Sequence, residues 1–373
     1  MAFCARWPIA GGMAATPTPS EYALAMTKST RALCALSIAL AAAGACKKSD
    51  DEKAPPSESK TTEPAATPPV DDKTAEEAKA KQEEATRAAE TLAKDEAKAA
   101  EEAKRWTPEL EKKAAELVAR PQKDAKKALQ AILASPHRMP GNPERDVYRH
   151  PIETLSFFHI RPDMTVVEMG VGEGWYTEIL APLVAKSGKL IVLSGDPKGP
   201  PDTMRTVYAR RVARFLGKSP AAFGKVQVTV VDPPSKIELG PPGSADLVVA
   251  MREMHNWQRR GEIDAYLAAI HAVLKDGGIL GVEQHRAAPG GKAEETAEKG
   301  YLPEDWLIQK IEAAGFKLEE KSEINANPKD TKDYEKGVWT LPPNYREGEK
   351  DRAKYTAIGE SDRMTLRFVK ATK

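Results

Sequence analysis

From about residue 121 the chain alternates short apolar runs with longer amphipathic ones. TVVEMG, KLIVLSG, VQVTVVD, ADLVVAM and GILGVEQ have the length and β-branched content of buried strands. WYTEILAPLVAK, TMRTVYARRVARFL and EIDAYLAAIHAVLK repeat their apolar residues at helical spacing. Alternation of this kind predicts a parallel sheet with helices on both faces. Gly188 and the DGG of residues 276–278 mark returns from helix to strand. Ligands in such sheets gather beyond the carboxyl ends of the strands, so the residues following each run are the first candidates for chemistry.

Upstream this pattern is missing. Residues 1–46 read as an upstream start region followed by an export signal: Lys28 and Arg31, an apolar stretch from Ala32 to Ala43, then AGAC ending at Cys46. The apolar run is short for a bilayer span. AGAC resembles a bacterial lipobox, which implies lipidation of Cys46 and a place on the periplasmic face of a membrane; an uncleaved anchor with an incidental cysteine is the alternative. Residues 47–73, rich in Pro, Ser, Thr and charge, are expected to be a disordered linker. Residues 74–120 are mostly Ala, Glu and Lys, with Glu/Lys pairs at helical spacing and apolar positions too small for a coiled-coil seam. A solvated helical spacer is the expectation there, leaving 121–373 as the folded domain.

Composition narrows the chemistry. A net charge of +1 gives no global sign of a nucleic-acid partner, and no basic stripe with interleaved aromatics occurs. All three cysteines, Cys4, Cys34 and Cys46, precede the folded region, which removes thiolate catalysis and zinc ribbons from it. Six histidines without an H-E-x-x-H or similar pair point to no dedicated metal site.

The first strand runs into Gly170, Gly172 and Gly174, a G-x-G-x-G turn, with Glu168 two places earlier. A dinucleotide fingerprint would place its third glycine at 175, which is Trp175. Asp196 closes the second strand and Asp232 the third. There one carboxylate can take ribose hydroxyls and the other can meet an adenine amino group, although each acid taken singly also fits a surface turn. The VVEMGVGEG turn, the two later acids and LKDGGILGVEQ together resemble a class I S-adenosylmethionine-dependent methyltransferase. PERDVYRHPIETLSFF, GWYTEILAP, EQHRAAPG and EAAGFKLEEKSEINANP further resemble a family of exported bacterial methyltransferases without a settled substrate.

The resemblance implies a Rossmann-like α/β fold with seven mostly parallel strands and a C-terminal antiparallel hairpin. FKLEEKSEI and MTLRFVKA would supply the hairpin, after a helix over Pro303 to Gly315. It implies S-adenosyl-L-methionine as cofactor, its methionine part held by Glu168 and the glycines, its ribose by Asp196 and its adenine near Asp232. Two departures stand out: Asp196 follows Gly195 in a turn-like setting, and Asp232 precedes two prolines.

Methyl transfer is an in-line displacement in which positioning and electrostatics supply much of the rate, and a base is needed only for a protonated nucleophile. His255 and His285, after the fourth and fifth strands, are the candidate catalytic residues; either fits a structural role equally well. Tyr148, Arg149, Asn256 and Arg286 are candidate substrate ligands. REMHNW occupies the place where nucleobase amino-methylating enzymes carry an Asn/Asp-Pro-Pro-aromatic motif, which argues against a nucleic-acid base as substrate and leaves a small-molecule acceptor as the expectation. The stretch from Asn325 to Arg363, containing Trp339 and Tyr345, is expected to be a lid or substrate loop. Two functions remain open: transfer to a small molecule by an exported lipoprotein, or a non-catalytic envelope lipoprotein that keeps the fold and a ligand pocket.

Overall fold

The computed structural model describes residues 72–371. The signal, Cys46 and the linker expectation lie outside the described residues. The chain divides into two units, Met1–Ala78 and Lys79–Lys373, and the second carries everything that follows. The first helices are α1 (Asp72–Arg105), of which residues from Lys79 on belong to the second unit, α2 (Pro108–Ala119), α3 (Ala125–Leu133), α4 (Asp146–Arg149) and α5 (Pro151–Phe157). Then come β1 (Thr165–Glu168), α6 (Thr177–Val184), β2 (Lys189–Ser194), α7 (Met204–Gly217), α8 (Pro220–Phe223) and β3 (Gln227–Val230). They are followed by β4 (Ala245–Met251), α9 (Met254–Arg259), α10 (Ile263–Val273), β5 (Leu274–His285) and α11 (Ala293–Thr296). The chain closes with α12 (Glu304–Ala313), β6 (Phe316–Ser322), α13 (Arg352–Ile358) and β7 (Arg363–Lys370).

The seven strands form one sheet in the order β3-β2-β1-β4-β5-β7-β6. β1 to β5 run parallel, with Val166 of β1 opposite both Leu190 and Leu247, and β7 is antiparallel to β5 and to β6. Alternation of side chains across the pleat gives the sheet two apolar faces. Val166, Leu190, Val192, Leu247 and Val249 meet α3, α5 and α6 on one; Val167, Ile191, Val248, Leu280 and Phe368 meet α10 and α12 on the other. Both faces being covered is why the sequence shows near-continuous apolar runs and not alternation. β5 begins at Leu274, ahead of the DGG, and a bulge between Ala245 and Leu247 absorbs the added residues.

The expected solvated spacer is different in the structure. Asp95 of α1 is buried and pairs with Arg211 of α7 at 2.8 and 3.0 Å, while Glu102 pairs with Lys218 at 3.2 Å. Leu110, Ala114 and Leu117 of α2 are buried, the last two in the core that also holds Phe223 of α8. Paired charges make most of the α1 contact, so no apolar stripe announces it. The folded unit therefore takes in residues 79–120. Leu117→Ala should destabilise the protein by about 2–5 kcal/mol in urea unfolding, the usual range for a buried leucine. A loss under about 0.5 kcal/mol, as at exposed positions, would mean that α2 is solvated after all.

Candidate active-site cleft

At the carboxyl ends of β1, β4 and β5 lies a cleft of about 720 Å³. Glu168 and the glycine turn form one wall, Arg252 to Asn256 another, and Trp339 with Pro342 and Pro343 a third.

Glu168 ends β1 and is 1 % exposed. One carboxyl oxygen accepts a hydrogen bond from Thr177 Oγ1 at 2.8 Å; the other, Oε1, has no partner among the described residues. Burial pushes its pKa up to about 8, against smaller opposing effects of Thr177 and Arg252. The three glycines have separate reasons. Side-chain atoms of Glu253 stand where a Cβ on Gly170 would lie, and Phe215 crowds Gly174 in the same way. Gly172 has φ +56° with open space around it, so its part is conformational and it faces the cleft.

Asp196 and Asp232 are placed elsewhere. Asp196 is exposed at the end of β2 and accepts from the Lys198 N–H at 2.8 Å, a local turn. Asp232 is exposed, bonds Ser235 and pairs with Arg205. Arg205 also donates to the Pro233 carbonyl at 2.8 Å and lies over Gly195. Neither acid lines the cleft. The departures seen in the sequence, a glycine before one acid and prolines after the other, coincide with these surface turns.

Both candidate histidines line the cleft, with ring centroids 5.6 Å apart. Gln284 Nε2 lies 3.2 Å from His255 Nδ1 and within 3.4 Å of the carbonyls of His285 and Gly300. Two carbonyls at that atom fix it as the amide nitrogen, so Nδ1 of His255 is an acceptor and the ring proton is on Nε2. The Nδ1 lone pair of His255 is thereby engaged by Gln284. Burial brings its pKa down to about 4 despite the Gln284 bond. His285 places Nδ1 2.6 Å from Ser361 Oγ, and burial followed by His255 and Arg252 lowers it well below the usual imidazole value.

Of the expected substrate ligands, Arg149 and Asn256 line the cleft. Asn256 donates to Glu253 at 3.3 Å. Arg286 does not line it: its guanidinium is engaged by Glu323, Asp362 and Glu304, and the Glu323 bond raises its pKa most. Tyr148 packs its ring on Gly359 and presents its backbone carbonyl to Arg363, away from the cleft lining. Trp339 lines the cleft, as a lid residue should, whereas Tyr345 belongs to a satellite cluster with Tyr334, Leu341 and Tyr355.

An ion network that includes only one of the expected site residues, Arg149, joins the strand ends. Glu283 of β5 accepts from Tyr176 Oη at 2.7 Å and Arg252 Nη1 at 2.9 Å, and Arg363 Nε lies 2.8 Å away. Glu360 meets Arg363 at 2.7 Å, Arg145 at 2.8 Å and Arg149 at 3.0 Å. Burial alone would raise both carboxyls; Arg252 and Arg363 hold Glu283 below its ordinary value, and Arg149, Arg363 and Arg145 hold Glu360 lower. Glu283, Arg145 and Arg252 stand in motifs the sequence displays. Glu360, Ser361 and Arg363 fall at the end of a long loop, where nothing in the local pattern marks them.

No family model matches the chain, and no curated protein does. Solved structures with similar folds include a SAM-dependent methyltransferase from Aquifex aeolicus, 18 % identical, with TM-score 0.40, covering 66 % of this chain and 99 % of its own. The cyclase SpnF is 18 % identical with TM-score 0.40, covering 60 % and 81 %. A SAM-dependent methyltransferase from Methanosarcina mazei is 13 % identical with TM-score 0.38, covering 59 % and 97 %.

Long-range ¹H–¹⁵N NMR of the histidine rings should show His255 neutral with its proton on Nε2 down to about pH 5. A midpoint near 6.5 would contradict the buried, Gln284-bound ring. By strand order, with one strand antiparallel between β5 and β6, the chain has the Rossmann-like fold of the class I methyltransferases.

Proposed function

We propose that the protein binds S-adenosylmethionine and transfers its methyl group to a small-molecule acceptor. The observation that carries this is Glu168: a buried carboxyl at the end of the first strand, one oxygen unpartnered, opening beside a glycine turn in a sheet of this topology. An ammonium group presented to Oε1 would satisfy it and restore the ionised form that burial disfavours. Gly172, with no side chain and space around it, leaves room for the rest of an amino-acid moiety. The cofactor would supply a methyl group activated by a sulfonium. Its other half finds less that is ready, since Arg205 closes on Asp232 across the ends of β2 and β3.

The chain's own residues supply positioning more than proton transfer. His255 accepts from Gln284 through Nδ1, and His285 is a weak base bonded to Ser361. An acceptor whose nucleophilic atom arrives unprotonated suits this site. The closure by Arg205 favours a second reading, a fold-retaining ligand-binding protein that transfers no methyl group. In either reading we place the protein, through lipidated Cys46, on the periplasmic face of a bacterial membrane, on the strength of the AGAC resemblance alone.

Binding tests the reading through its proton balance. Below about pH 8 the free Glu168 holds a proton that the ammonium of the ligand displaces, so S-adenosylhomocysteine should bind more tightly as pH rises from 6 to 7.5. The gain should be at most about tenfold per pH unit, with proton release visible in buffers of different ionisation enthalpy. Glu168→Gln should bind more weakly and release no proton. Equal affinity and equal proton release in the variant would refute the assignment of Glu168.

A further inference from the structure

The cleft gathers more positive charge than its ionised carboxylates balance. Four guanidiniums meet there, from Arg145, Arg149, Arg252 and Arg363, against Glu283 and Glu360. Their side chains are 21, 6, 17 and 1 % exposed, so water screens them little. Of the other carboxyls on the lining, Glu173 stays ionised in a pair with Lys98 at 3.0 Å, which leaves the arginines uncompensated, and burial pushes Glu168 and Glu253 toward their neutral forms. Arg363 donates to Glu360 and the Tyr148 carbonyl, has Nε 2.8 Å from Glu283, and does not line the cleft. Arg145, Arg149 and Arg252 differ from it: each gives one nitrogen to a carboxylate and also lines the cleft.

Arg149 is held in place. Its guanidinium carbon lies 4.7 Å from the centre of the Trp175 ring, whose N–H donates to the Asn142 carbonyl at 3.1 Å. Burial, then the neighbouring Arg252, brings the Arg149 pKa down to about 9, the direction expected of a cation short of counter-charge. A buried charge is tolerated when an opposite charge with hydrogen-bonding oxygens completes its surroundings, and a guanidinium fork matches carboxylate and phosphate oxygens in particular.

We propose that Arg145, Arg149 and Arg252 form an anion subsite that receives a carboxylate or phosphate group of the small-molecule acceptor, with the rest of that molecule against Trp339 and Pro342. The subsite stands on charge and geometry; that its occupant is a methyl acceptor rests on the methyl-transfer reading. The carboxylate of the cofactor is a second source of the same chemistry, and the test separates the two.

The full-length chain is titrated in a calorimeter with inorganic phosphate and with malonate, at constant ionic strength, with and without saturating S-adenosylhomocysteine. At least one probe should bind saturably, and should still bind beside S-adenosylhomocysteine. Arg149→Met should weaken that binding tenfold or more and Arg149→Lys less. Arg145→Met, at the most exposed of the four positions, gives the same readout if Arg149→Met fails to fold, as near-ultraviolet circular dichroism would show. No saturable binding, binding that survives both methionine substitutions, or loss of binding once S-adenosylhomocysteine is present would overturn the proposal. Probe binding that depends on the arginines in a protein giving no heat with S-adenosylhomocysteine would uphold the subsite and remove the cofactor reading instead.

Discussion

Glu283 and Glu360 hold the functional end of this sheet together. Glu283 lies on β5, Glu360 just before β7, and between them they engage four guanidiniums from three separate segments: residues 145 and 149 before α5, residue 252 after β4, and residue 363 at the start of β7. These segments are distant in sequence, and their backbones pair only partly at this end of the sheet. Removing either carboxylate would leave buried guanidiniums facing one another, a change that costs about 3–5 kcal/mol where a single buried pair is broken. The network thus fixes the cleft's shape and sets its sign.

That sign follows from how the two carboxylate sets differ. Glu283 and Glu360 are ionised because arginines outweigh their burial; at Glu168 burial outweighs Thr177 and Arg252 and pushes the carboxyl toward its neutral form, with no hydrogen-bond partner on its free oxygen. One wall of the cleft is therefore rich in cations and the other presents a carboxyl short of a partner. A ligand pair with an ammonium at one end and an acidic acceptor at the other complements both walls. The imidazoles between them stay neutral, so the electrostatic division does not depend on their titration in the physiological range.

The sheet was legible because its strands are buried on both faces, which leaves short apolar runs punctuated by helices and glycine. Glu168, the glycine turn, Arg149 and both histidines follow strand ends or sit in a compact motif, so their convergence could be anticipated. Asp196 and Asp232 also follow strand ends, yet local turns engage them, because a Lys198 N–H and the Arg205 guanidinium are closer partners than the cleft. Arg286 was misassigned for a related reason: three carboxylates from other elements converge on it, which no local pattern reveals. Glu360, Ser361 and Arg363 were illegible because a long irregular segment precedes them and only tertiary pairing gives them a role. α1 and α2 were misjudged because their contacts combine paired charges with a few small apolar side chains.

A crystal structure of the protein with S-adenosylhomocysteine tests the central claim most directly. The ligand's amino nitrogen should lie beside Glu168 Oε1 and its backbone along Gly172, with the guanidiniums of Arg149 and Arg252 left free of its carboxylate. A ligand bound away from Glu168, or one whose carboxylate occupies the arginines, would contradict that claim.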